Sequence, residues 1–71
     1  MKEIPSEELM KYSLDELVLL QHCMYYQVDI NKVSKESRLF RRLKTTNDYV
    51  KEETLLKVIK EKRFNIWKEI I

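Results

Sequence analysis

No glycine occurs anywhere in this 71-residue chain, and its one proline lies at position 5. Without glycine, the positive-φ backbone of tight hairpin turns and bulges becomes costly, whereas helices lose nothing. With 44% hydrophobic and 37% charged residues, the chain reads as all-α. The expectation is a single domain over residues 1–71, a compact bundle of three main helices with room for a short extra helix at either end. A domain this small has a thin margin of stability, so oligomerisation often contributes.

The charges are unevenly placed. Residues 1–29 hold two lysines against six acids, 30–47 hold six bases against Glu36, and 48–71 are nearly balanced, which the net charge of +2 conceals. At 100° per residue, Ile30, Val33, Phe40 and Leu43 gather on one side of the basic stretch, and Lys32, Lys35, Arg38, Arg41 and Arg42 on the other. The pattern predicts a basic amphipathic helix over 30–44. A solvated helix, an acidic protein surface and a phosphate backbone are all compatible with such a face. Arginine forks suit bidentate contacts, and a helix fits the major groove, so Arg38, Arg41, Arg42 and Lys35 are candidate contacts to phosphates or base edges. Ser34, Ser37, Thr45 and Thr46 can add phosphate contacts or act as caps.

Ser13-Leu14-Asp15-Glu16 has the form of a capping box and predicts a helix from Leu14 to Tyr26. Ser6-Glu7-Glu8-Leu9 either begins that helix or forms a separate one. Leu14, Leu17, Val18, Leu20, Met24, Tyr25 and Val28 make a broad apolar stripe, yet Leu19, Cys23 and Tyr26 make the opposite side apolar too. Those three either form a self-association surface, as in a homodimer, or lie beneath the last helix. Gln27-Val28-Asp29 and Thr45-Thr46-Asn47-Asp48 read as joints, with Asp29 or Asn31 capping the basic helix. From Asp48 a helical pattern places Tyr49, Leu55, Leu56, Ile59, Ile66, Trp67 and Ile70 on one side. Phe64 falls off that stripe, which favours a bend near Arg63-Phe64-Asn65 with Asn65 capping a short final helix.

The single cysteine rules out an internal disulfide framework or cysteine-based zinc site. His22 and Cys23 are adjacent and point about 100° apart on a helix, which does not suit a shared metal ion. Acidic pairs such as Glu7-Glu8 and Glu52-Glu53 sit at helix starts, where the macrodipole favours them. The expectation is a protein with no cofactor, no metal and no enzymatic activity. No signal-peptide pattern opens the chain, and its longest uncharged stretch, 17–28, falls short of the roughly 20 apolar residues that cross a bilayer. A cytoplasmic protein without membrane association is expected.

The run Val33-Ser34-Lys35-Glu36-Ser37-Arg38-Leu39-Phe40-Arg41-Arg42-Leu43, a polar loop, and then Glu53-Thr54-Leu55-Leu56-Lys57-Val58-Ile59-Lys60 resembles the recognition helix and following helix of phage-repressor-type helix-turn-helix proteins. Asn65 to Ile70 would be their short last helix, so the resemblance spans roughly 33–70. It departs from the family before residue 30, where no tight glycine turn joins a short helix to the recognition helix. The resemblance implies a transcriptional regulator binding double-stranded DNA, with Ser34, Lys35, Ser37, Arg38 and Arg41 towards the DNA and Arg42, Lys44 and Thr46 near phosphates. The alternative is a regulator or inhibitor that docks a larger enzyme or transcription factor, through its basic face on an acidic protein surface or through the apolar first helix.

Overall fold

A computed structural model describes residues 2–34 and 37–70. It is all-α, with four helices: α1 (Ser6–Leu9), α2 (Leu14–Tyr25), α3 (Arg38–Thr46) and α4 (Glu52–Ile70). The three longer helices are the main elements, and the short extra helix is N-terminal. Pro5 precedes α1, and Ser13 starts α2 through the capping box foreseen in the sequence: the Glu16 amide donates to Ser13 Oγ at 3.2 Å, and the Ser13 amide reaches Glu16 Oε1 at 3.5 Å. Met10 to Tyr12 separate α1 from α2.

Gln27 and Asn47 take left-handed backbone, with φ of 55° and 59°, where a chain with glycine would often place one. At the end of α2, the Val28 amide bonds to the Cys23 carbonyl at 2.8 Å and the Gln27 amide to the Met24 carbonyl, the double bond of a Schellman stop. Asn47 ends α3. Before α4, a two-residue bridge ties the N-terminus down, with the Ile4 amide bonded to the Tyr49 carbonyl and the Tyr49 amide to the Lys2 carbonyl, both at 2.9 Å.

The basic stretch is not one helix over 30–44. Ile30–Lys32 is a 3₁₀ turn capped by Asp29, Val33 is extended, and a new helix starts only after Ser37. At Ser37 a local cap prevails over helix continuation, because its hydroxyl accepts from the Phe40 amide that a continuous helix would bond internally, whereas Asp29 caps the start of the stretch. The expected bend in the last helix is absent as well: α4 runs unbroken for 19 residues.

The core contains Ile4, Leu9, Leu17, Leu20, Cys23, Leu39, Phe40, Leu55, Val58 and Ile59. Ile30, Val33 and Leu43 pack against it, as the basic stretch's apolar side predicts. Cys23 is therefore a core residue, which corrects its place on a self-association surface. The stripe of α4 is also corrected. Leu55 and Ile59 are buried together with Val58, but Leu56, Phe64, Ile66, Trp67 and Ile70 are exposed. At 1.5 Å per residue α4 is about 28 Å long and α2 about 18 Å, so the distal part of α4 outruns its cover. The molecule is correspondingly elongated, 39 × 23 × 20 Å.

Candidate nucleic-acid interface

The nine residues of α3 divide by burial. Leu39 and Phe40 are buried, while Arg38, Arg41 and Lys44, spaced three apart, form an exposed row that runs obliquely from the outer side of α3 to a point beside Phe40. Lys44 Nζ donates to the Val33 carbonyl at 2.8 Å, which draws the 3₁₀ turn and exposed Lys32 towards the end of α3. At the other end Arg38 Nη2 donates to the Lys11 carbonyl at 3.3 Å, and its guanidinium lies 5.6 Å from the centre of the Tyr12 ring. The result is a cationic arc through Lys11, Arg38, Arg41, Lys44 and Lys32. Sequence reasoning missed Lys11, because only the fold brings the α1–α2 joint beside α3.

Arg42 does not belong to this arc. Its Nη1 meets Glu8 Oε2 at 2.6 Å, its Nε meets Asp48 Oδ2 at 3.2 Å, and Nη1 lies 3.4 Å from the Tyr12 hydroxyl. These contacts hold the guanidinium firmly protonated, and the Arg42 hydrogen bond draws the Glu8 carboxyl below its ordinary value against the opposing effect of burial. Arg42 thus joins α1, α3 and the α3–α4 joint. A recess of about 380 Å³ lies between Glu8, Lys11, Tyr12, Arg38 and Arg42.

The start of α3 is organised by a residue the sequence reading had confined to its own helix. Glu16 Oε2 accepts from Ser37 Oγ at 2.8 Å and from the Leu39 amide at 3.1 Å, while Oε1 accepts from Ser13 Oγ at 3.1 Å. One carboxylate therefore caps both α2 and α3. Burial raises the Glu16 pKa, but the bonds from Ser37, Leu39 and Ser13 outweigh it and bring the group below its usual value. Ser37 Oγ also accepts from the Phe40 amide at 3.4 Å, so its hydroxyl is fully engaged as a cap. Thr45 and Thr46 bond back to the Arg41 and Arg42 carbonyls at 2.8 and 2.7 Å.

No family model, curated protein or solved structure matches this chain. The site thus has to be read from its own geometry.

Of the candidate contacts, Lys32, Ser34, Arg38, Arg41, Lys44 and Thr46 are exposed, Ser37 and Arg42 are tied into the fold, and Lys35 lies outside the described residues. Three of the six acids of the first third are engaged within the fold. Glu3 pairs with Lys51 at 3.2 Å, Glu8 with Arg42, and Glu16 with the two helix starts. The His22 and Tyr26 ring centres lie 4.5 Å apart with the rings tilted by 47°, and Cys23 is buried. Among the described residues no group of three metal-ligating side chains converges, and no helix is long and apolar enough to cross a membrane.

Proposed function

We propose that this chain is a small DNA-binding regulatory protein that lays the outer side of α3 along duplex phosphates. The observation that carries the reading is the exposed Arg38-Arg41-Lys44 stripe on a helix whose inner side is anchored in the core. A helix fixed in this way presents its cations as a rigid row, and Lys11 and Lys32 extend the row at either end. The positive end of the α3 dipole is already occupied by Glu16, so affinity comes from the side chains and not from the helix terminus. Phosphate neutralisation then dominates, and binding is tolerant of sequence.

Fluorescence anisotropy with a labelled random duplex at about 50 mM salt tests this reading, because low salt favours even non-specific phosphate contacts. Saturable binding is expected for the wild-type chain, and none for the Arg38→Glu/Arg41→Glu double variant with unchanged helicity.

A second reading has its own support. Among the described residues between α2 and α3 there is a 3₁₀ turn over Ile30–Lys32 followed by extended Val33, a longer connection than the tight turn of a helix-turn-helix pair. That favours a protein-binding regulator or inhibitor using the same basic row on an acidic protein surface. Absence of duplex binding at low salt decides for it.

A further inference from the structure

Two apolar features on this surface match each other. The first is a ridge: beyond Ile59, the last buried residue of α4, Ile66, Trp67 and Ile70 are 46%, 59% and 77% exposed, and Phe64, 56% exposed, flanks them with its ring 6.5 Å from that of Trp67. The second is a trough along α2. Leu14, Asp15, Val18, Leu19 and His22, with Arg63 of α4, line a concavity of about 580 Å³, and Val18 and His22 continue it into a second hollow bounded by Tyr25 and Tyr26.

We propose that the chain forms a two-fold homodimer in which the α4 ridge of each copy seats in the α2 trough of the other. Two considerations support a second copy as the occupant. The distal segment of α4, about ten residues with little tertiary cover, gains helical stability from a partner packed on it. The four ridge side chains leave roughly 400–500 Å² in water, taking about 150–250 Å² for each large aromatic. Two reciprocal contacts take roughly 800–1,000 Å² of ridge out of water, and with the trough surface they cover they reach the roughly 1,000–1,200 Å² at the low end of specific interfaces. Among the residues assigned from sequence to self-association, Leu19 and Tyr26 lie in this trough.

Sedimentation equilibrium of the full chain from roughly 1 to 500 μM, read together with emission from its only tryptophan, Trp67, tests the arrangement. A species of twice 8.7 kDa and a concentration-dependent blue shift of Trp67 are expected. Trp67→Glu removes the ridge and Leu19→Glu the trough, and each should raise the dimer dissociation constant at least 100-fold. An equimolar mixture of the two variants retains one intact ridge–trough contact and should regain heterodimer that neither forms alone. A wild-type chain that stays monomeric with unshifted Trp67 emission at 500 μM overturns the proposal, and this readout needs no variant to fold. A dimer indifferent to Trp67→Glu, or variants of native helicity whose mixture fails to associate, overturns it equally.

Discussion

Glu16 shows how one side chain can set the relation between two helices. Its carboxylate satisfies amides or hydroxyls at the starts of both α2 and α3, and Glu16→Ala should lower stability by about 1–3 kcal/mol in urea unfolding, the range for losing caps and charge-assisted bonds. The pH dependence follows from the sign of the shift. Glu16 and Glu8 have folded pKa values below the ordinary 4.5, so the stability they contribute is complete above that value and is lost as pH falls through the lowered folded values. Acid titration of the melting temperature should show a fall below pH 4.5 that is shallower in Glu16→Gln. Gln27 presents the opposite case. It holds a left-handed conformation disfavoured for a side chain with a Cβ, and Gln27→Gly should raise stability by up to about 1 kcal/mol. A destabilised Gln27→Gly would show that the Gln27 side chain contributes more than its backbone costs. The Ser13–Glu16 box was legible in the sequence because both partners lie within one turn. Its second half was not, because Ser37 and Leu39 are more than twenty positions away and are brought in only by packing.

Among the elements, periodicity identified which side of a segment is apolar and misjudged where the segment breaks. The basic stretch has the right inward residues, Phe40 above all, but reading it as one helix overlooked that Ser37 stands immediately before a well-formed turn. In α4 the error ran the other way. Asn65 suggested a break, yet asparagine inside a helix costs only tenths of a kcal/mol, while no proline or glycine is present to enforce a stop. Asn65→Ala should therefore raise helicity and leave stability equal or slightly higher; a loss near 1 kcal/mol would instead mark Asn65 as a cap. The stripe also overstated burial, since a repeat says which way a residue faces and nothing about how far the covering helix extends. Phe40→Ala, at a fully packed site, should cost about 3–5 kcal/mol. Leu56→Ala, at a site 40% exposed, should cost less, and denaturant midpoints of the two variants distinguish the burial seen here from the sequence expectation.

For the whole molecule, segment charges gave the partner class its first support and the fold changed what they mean. Three of the six acids of the first third, Glu3, Glu8 and Glu16, help to hold the bundle together, and Arg42 of the central stretch is engaged with them. What remains outward is narrower than the sequence suggested and extends to Lys11, a residue no local pattern marks. Arg42→Met should lower the melting temperature while leaving the cationic row in place, whereas Arg38→Glu/Arg41→Glu should leave melting nearly unchanged, since exposed charge contacts contribute little. Unfolding by the double reversal would show that the assigned outward side of α3 is wrong.

The dependence of duplex affinity on salt tests the role of that row most directly. If about three or four phosphates are neutralised, the slope of log K against log salt should be near −3, and Arg41→Gln should make it shallower by about 0.9. No measurable affinity at low salt, or a slope near zero that Arg41→Gln leaves unchanged, would contradict a phosphate-binding α3.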